Sequence, residues 1–374
     1  MKSFVFFLLG SIFGIAVILG ADYIKDLSII RPLEKKIDEV VEKPLEKYTF
    51  ESLKKHQFAK SKIAIVKKLK DEEDFASYLF YFNIDPKYGT IVKDGKKVPL
   101  RVSGMMNVPK DQETKHPVIL MFRGFVDQSI FTTGEGTRRS AGELASNGFI
   151  TLAPDFLGYG ESDNPSINPI EERFQTYITA LSLFSSLESL PSALQTYSDD
   201  KGVEQKGVQP PDAGVVPLQS IQPNLSKIGV WGHSNGGHIA LAAIAISGNT
   251  YPTVLWNPVS KPFPYSILYF TDEYDDQGKA LRVVVANFER DYDIFLYSPE
   301  RYYKWLKAPI QLHQSLSDEA VPPVWSDQLE ATLKEKKIEV EYFKYPGENH
   351  NFNLGSWSTA ISRTINFYSS NFNK

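Results

Sequence analysis

An α/β fold with a mainly parallel central sheet flanked by helices is what this sequence predicts, and three observations predict it. Strand-like and helix-like stretches alternate from Val118 onward, the pattern of β-α units whose helices cover both faces of one sheet. The first of them, Val118 to Phe122, is a short unbroken apolar run, as expected of a strand buried on both sides. The chain has 374 residues, 42% hydrophobic and 13% aromatic, enough to fill one large core.

Ser3 to Ala21 is an uncharged run of about 19 residues, which as a helix spans roughly 28 Å, close to the hydrocarbon thickness of a bilayer. Ile18 and Leu19 stand where a cleavable signal peptide carries small residues, so residues 1–24 are expected to form an uncleaved transmembrane anchor. Lys25, Arg31, Lys35 and Lys36 on its far side favour a cytoplasmic domain by the positive-inside count. A short segment ahead of a long domain usually stays inside while the domain is exported, and the expectation adopted is an extracytoplasmic one. Residues 25–60, rich in charge and broken by Pro32 and Pro44, read as a stalk, and 61–374 as the main domain.

That domain opens with strand-like stretches at Lys62 to Lys67, Phe75 to Ile84 and Val98 to Val108, an antiparallel meander with a turn at Asp94-Gly95. After Phe122 come a helix from Arg138 to Ser146, a strand from Phe149 to Ala153 and a helix from Glu171 to Ser186. Strands at Lys227 to Trp231, Thr253 to Trp256 and Pro309 to His313 follow, then a helix over Val324 to Lys334 and a strand over Ile338 to Tyr345. Two insertions interrupt the alternation. Residues 190–225 are polar and proline-rich, a lid, a partner surface or a disordered stretch; residues 257–299 are aromatic-rich and fit a roof over the crevice, with Tyr265, Tyr269 and Phe270 as wall candidates.

Gly232-His233-Ser234-Asn235-Gly236 lies between the strand ending at Trp231 and a small-residue helical run from Gly237 to Ser247. A serine on a sharp strand-to-helix turn projects its hydroxyl outward, and flanking glycines let neighbouring backbones pass close. Ser234 is therefore the candidate nucleophile. It needs a histidine to take its proton and an acid to orient that histidine. Of six histidines, His350 sits in a polar loop after the strand ending at Tyr345, where a loop can deliver an imidazole to the sheet's rim; the others read as solvated or structural. Asp318 falls between nucleophile and base, just past the strand Pro309 to His313. Glu319 is its nearest rival, and Asp291 and Asp293 are remoter ones.

The run Ser298-Pro299-Glu300-Arg301-Tyr302-Tyr303, then Ala308-Pro309-Ile310, Asp318 with Val321-Pro322, and Tyr345-Pro346-Gly347-Glu348 before His350 resembles the catalytic domain of prolyl-oligopeptidase-type serine peptidases. Dienelactone-hydrolase-like esterases share much of it. The likeness spans roughly Tyr78 to Phe367, and it implies an α/β-hydrolase fold, hydrolysis of peptide or ester bonds, and Ser234, Asp318 and His350 as nucleophile, acid and base. The residues ahead of the sheet are too few for the β-propeller that gates prolyl oligopeptidases.

Acyl transfer creates a negative oxygen that preorganised donors must hold. The backbone N–H of Asn235 is one candidate donor and that of Phe125, in the turn Arg123-Gly124-Phe125, the other. Members of the family it resembles usually carry His-Gly at this turn. Arg123, standing in place of that histidine, is a candidate substrate contact or a partner for Asp155 or Glu161.

The formal net charge of −4 and the absence of a long basic tract argue against nucleic acid as partner. With no cysteine, disulfides, cysteine-zinc clusters and thiol catalysis are excluded. No metal or organic cofactor is implied. The expected partners are a small peptide or ester substrate and, through the N-terminal helix, a membrane. The competing class is a non-catalytic membrane-anchored binding protein, for which the replacement at Arg123 is the one hint.

Overall fold

The computed structural model describes residues 42–111, 115–198, 218–272 and 274–374. The expected anchor over 1–24 and the first part of the stalk fall on residues 1–41 and lie outside the described residues. Among the described residues no helix is long and apolar enough to cross a membrane.

The compact unit spans Leu45–Lys374, so it starts well before residue 61, where the sequence placed its boundary. Leu45, Tyr48, Phe50 and Leu53 are all buried, and the short helix α1 (Phe50–Lys55) carries Phe50 onto Tyr302 with ring centroids 5.0 Å apart. Interspersed lysines and glutamates make this stretch read as solvated. Its apolar residues nonetheless fall on one side, and each large one buried contributes about 1.5–3 kcal/mol.

The strands are β1 (Ala64–Asp71), β2 (Phe75–Asn83), β3 (Thr90–Lys93), β4 (Lys96–Pro99), β5 (Arg101–Pro109), β6 (Lys115–Phe122), β7 (Ile150–Pro154), β8 (Gln222–His233), β9 (Thr253–Trp256), β10 (Ile310–Ser315) and β11 (Val340–Tyr345). Apart from the separate β3-β4 hairpin, they form one nine-stranded sheet in the order β1-β2-β5-β7-β6-β8-β9-β10-β11. β1, β2, β5 and β7 pair antiparallel in turn. From β7 through β11 every pairing is parallel. The strand expected over Val98 to Val108 is thus two, β4 and β5, parting at Leu100. The central strand β6 has Val118 to Phe122 fully buried, which is why no alternation shows in its sequence.

Helices α2 (Arg138–Ser146), α3 (Pro169–Ser186), α4 (Leu190–Thr196), α5 (Asn235–Ser247), α6 (Tyr265–Leu268), α7 (Lys279–Asp291), α8 (Pro323–Glu335) and α9 (Trp357–Phe372) complete the fold. Asn168 caps α3 by accepting from the N–H groups of Ile170 and Glu171, with Pro169 opening the first turn. α5 is buried almost all round, as its run of alanines and isoleucines requires of a helix inside the core. α3, α5 and α8 pack on one face of the sheet, α2 and α9 on the other.

Strand order reverses between β6 and β8: the chain goes from β6 out to β7 and returns across β6 to β8. In such sheets the ligand crevice forms beyond the carboxyl ends at the reversal. Phe122 and Gly232 are register partners there, so the turn after β6 and the turn after β8 meet at that point.

Where it is described, the insertion expected over 190–225 is mostly regular structure. Leu190, Ala193 and Leu194 of α4 are buried, and β8 already begins at Gln222; residues 199–217 lie outside the described ones. Its described ends sit at the amino-terminal end of β8, roughly 23 Å from the crevice by the length of β6 beside it. They are therefore on the rim opposite the one a lid would cover.

Candidate active site

Ser234 follows the last residue of β8 and precedes the first of α5, at φ 55° and ψ −122°. A non-glycine residue in that region is strained and is held there only by its surroundings. Here the surroundings are backbone. A methyl group on Gly232 would meet the Gly236 carbonyl oxygen at 2.6 Å, and one on Gly236 would overlap the carbonyl of Phe122. Gly124 in the facing turn lies so close that a methyl on it would stand 2.8 Å from Ser234 Cβ. The glycine spacing in the sequence is thus a packing requirement, as the elbow reading expects.

Asp318 and His350 are brought together. His350 Nδ1 donates to Asp318 Oδ2 at 2.8 Å and lies 3.0 Å from Oδ1. The Asp318 side chain is fully enclosed, and Oδ1 also accepts from the N–H groups of Ala320 and Val321 at 2.8 and 2.7 Å. Three donors fix the carboxylate in place, and the bond to Nδ1 leaves Nε2 of the imidazole free to accept a proton.

The rivals of Asp318 have other partners. Glu319 accepts from the backbone N–H of His350 at 3.1 Å. Asp291 pairs with Arg290, and Asp293 caps the turn beginning at Ile294.

The His350 carbonyl accepts from Asn257 Nδ2 at 2.7 Å and from His233 Nε2 at 3.0 Å. His233 adjoins Ser234, and its ring centroid is 4.6 Å from that of His350. Burial, then the neighbouring His350, hold the His233 imidazole down at about 3, so it stays neutral and donates only from Nε2. Ser234 Oγ itself makes no hydrogen bond to His350 or to any other described residue. Such contacts are often open before substrate arrives. Sequence reasoning missed the grip of Asn257, Glu319 and His233 on His350. Glu319 and His233 adjoin proposed triad residues, but only the fold reveals what they hold.

The other histidines are structural. His238 and His313 are buried and neutral, each pushed well below an ordinary imidazole chiefly by burial; His238 accepts from the Tyr177 hydroxyl, His313 from that of Tyr345. His56 pairs with Asp85 at 2.9 Å and His116 lies buried against the carbonyls of Gly148 and Asp111, where the sequence suggested that both were solvated.

Among the described residues Arg123 lacks the ion pair that one of its two expected roles required, and it lines the cavity beside Asn235. It is 6% exposed, and its Nη1 and Nη2 donate to the carbonyls of Gly124 and Asp155 at 2.9 Å each, with the guanidinium 4.0 Å above the Tyr159 ring. Neither the Asp155 carboxylate nor Glu161 bonds it; Glu161 holds Lys67 and Tyr81 instead. The guanidinium clamps the turn that carries Gly124 and Phe125, while its Nε has no partner among the described residues.

A cavity of about 320 Å³ opens beside Asn235 and Phe125, walled by Phe156, Ile239 and, from the roof, Ile267, Tyr274 and Leu281. Of the wall candidates in the roof, Tyr265 and Tyr269 pack on Trp325 and are partly exposed, and Phe270 joins the same cluster. Arg173 on α3 also lines the cavity and donates to Asn235 Oδ1 at 2.7 Å. Among the described residues no cluster of three or more acidic or histidine side chains is arranged to hold a metal.

The fold is similar to those of solved structures along most of the chain. Acetyl xylan esterase 1 from Thermoanaerobacterium is 16% identical with a TM-score of 0.51, the alignment covering 87% of this chain and 94% of that one. An acetyl xylan esterase from Paenibacillus is 15% identical with a TM-score of 0.52, covering 85% and 91%. The chain has an α/β-hydrolase fold. Residues 219–374 of the chain match the model of the prolyl oligopeptidase family, a stretch that holds Ser234, Asp318 and His350. Fold and match together make it a serine hydrolase. No curated protein matches its sequence.

Proposed function

We propose that this hydrolase is a serine peptidase acting on short peptides through an acyl-enzyme. Ser234 attacks the scissile carbonyl, His350 Nε2 takes the hydroxyl proton and returns it to the leaving amine, and Asp318 holds the imidazole and supports its charge. The N–H groups of Asn235 and Phe125 receive the oxyanion, and Arg123 fixes the turn that presents the second of them. The observation that carries this reading is the enclosed Asp318–His350 pair at the rim where Ser234 is held at positive φ. The family match over residues 219–374 supports peptide bonds.

A second reading, ester hydrolysis, is favoured by the modest cavity beside Asn235, sized for a short acyl group, and by the near-complete overlap with two esterases. One experiment separates the two. A fluorophosphonate probe is expected to label the chain stoichiometrically and not its Ser234→Ala variant; absence of labelling on folded protein overturns both readings. Turnover of an aminoacyl anilide alongside a p-nitrophenyl ester supports the peptidase, whereas ester-only turnover rejects it. The uncharged run Ser3 to Ala21 supports an extracytoplasmic, membrane-anchored placement, to be checked by protease accessibility of intact cells.

A further inference from the structure

A second cavity, about 440 Å³, lies on the other side of the rim and shares no wall residue with the one beside Asn235. One wall is the start of α2, from Glu135 to Ser140; another is aromatic, formed by Trp231, Trp256 and Trp357; the third is the segment Asn351 to Asn353, just after His350.

Its polar groups are mostly donors. No side chain caps α2: the Thr137 hydroxyl, in capping position, donates back to the Gly134 carbonyl. The positive end of the helix is left facing the cavity. Arg139 lies 3.6 Å above the Trp357 ring and bonds the neutral Asn353 side chain at 3.3 Å, with no carboxylate paired to it among the described residues. Trp231 is 2% exposed, and its indole N–H has no acceptor among the described residues. Leaving such a buried donor unmet is costly unless a ligand supplies the acceptor. Glu135, the one carboxylate in the wall, is tied to Arg138 at 3.1 Å.

We propose that this cavity is an effector site for a small aromatic carboxylate. The carboxylate meets Arg139, the start of α2 and the Trp231 indole N–H, and the flat body packs among the tryptophan rings. Its occupant bears on Asn351 to Asn353 and on His233, which holds the His350 carbonyl, so binding alters the placement of His350 without entering the cavity beside Asn235.

Calorimetry with trans-cinnamate on the full-length chain tests this. Expected are one-to-one binding that persists in Ser234→Ala, and a loss of about tenfold or more in affinity for Arg139→Gln, for Trp231→Phe and for cinnamamide in place of cinnamate. In turnover of an ester substrate, cinnamate is expected to change kcat. No binding, wild-type affinity in Arg139→Gln, or inhibition that raises KM alone would each overturn the proposal. Arg139 is exposed, so its variant decides the matter even where Trp231→Phe fails to fold. The binding arm needs no turnover, so its failure is distinct from failure of the peptidase reading.

Discussion

The turn after β8 and the segment after β9 leave neighbouring strands of one sheet and are built on opposite principles. In the first, Gly232, Gly236 and Gly124 bring backbone against backbone around Ser234 with no room for a methyl group. In the second, residues 257–299, Tyr265, Tyr269, Tyr274 and Val283 face outward, each more than a third exposed. The part that fixes the chemistry is rigid because backbone cannot yield. The part that shapes the substrate cavity is side chain, which can. One fold can thus keep one reaction while its substrate changes.

That contrast breaks most visibly at Gly236. Gly236→Ala is expected to cost about 3 kcal/mol or more, read as a fall in melting temperature, and to abolish fluorophosphonate labelling in whatever folds. A variant that melts and labels like the wild type would mean that the elbow yields after all.

Acid sharpens the comparison, because the elbow holds His233 and His238 while the roof holds no histidine. Buried imidazoles depressed to about 3, as at His233 and His313, stay neutral when the unfolded chain takes up protons below about pH 6.5. The unfolded state then binds more protons, so stability is full above that pH and falls toward pH 4. Denaturant titrations across this range should show the decline, and His238→Gln, which keeps a donor and an acceptor, should flatten it. An unchanged slope would remove His238 from the account.

The smallest effect is expected in the roof. Tyr274→Ala should change stability by under about 1 kcal/mol yet shift the preference between short and long acyl chains by up to about tenfold in kcat/KM. Equal losses on every substrate would show that the roof is as constrained as the elbow.

Much of this was legible in the sequence where one residue answers to one local rule. The strand before the elbow, the Ser234 turn and the parallel series after Phe122 stand where glycine spacing and apolar runs put them. Asp318 and His350 follow strand ends, and their contact follows once β10 and β11 pair in register. What escaped depends on partners distant in sequence. The burial of Tyr48 and Phe50 needs Glu171 and Tyr302 to be known as neighbours. Arg123 reads as a free charge until the carbonyls of Gly124 and Asp155 come within reach. Helix α9 went unmarked because its aromatic residues alternate with serines, threonines and asparagines that blur the helical period.

The hold on His350 has a kinetic consequence. His233 at the end of β8, Asn257 after β9, and Asp318 and Glu319 after β10 each bond it, so the base is anchored to three successive strands at once. Ser234 Oγ, which makes no hydrogen bond among the described residues, keeps rotation about its Cα–Cβ bond. Such a rotor samples its three wells in picoseconds to nanoseconds, so the serine's own rotation is not the slow step of the cycle.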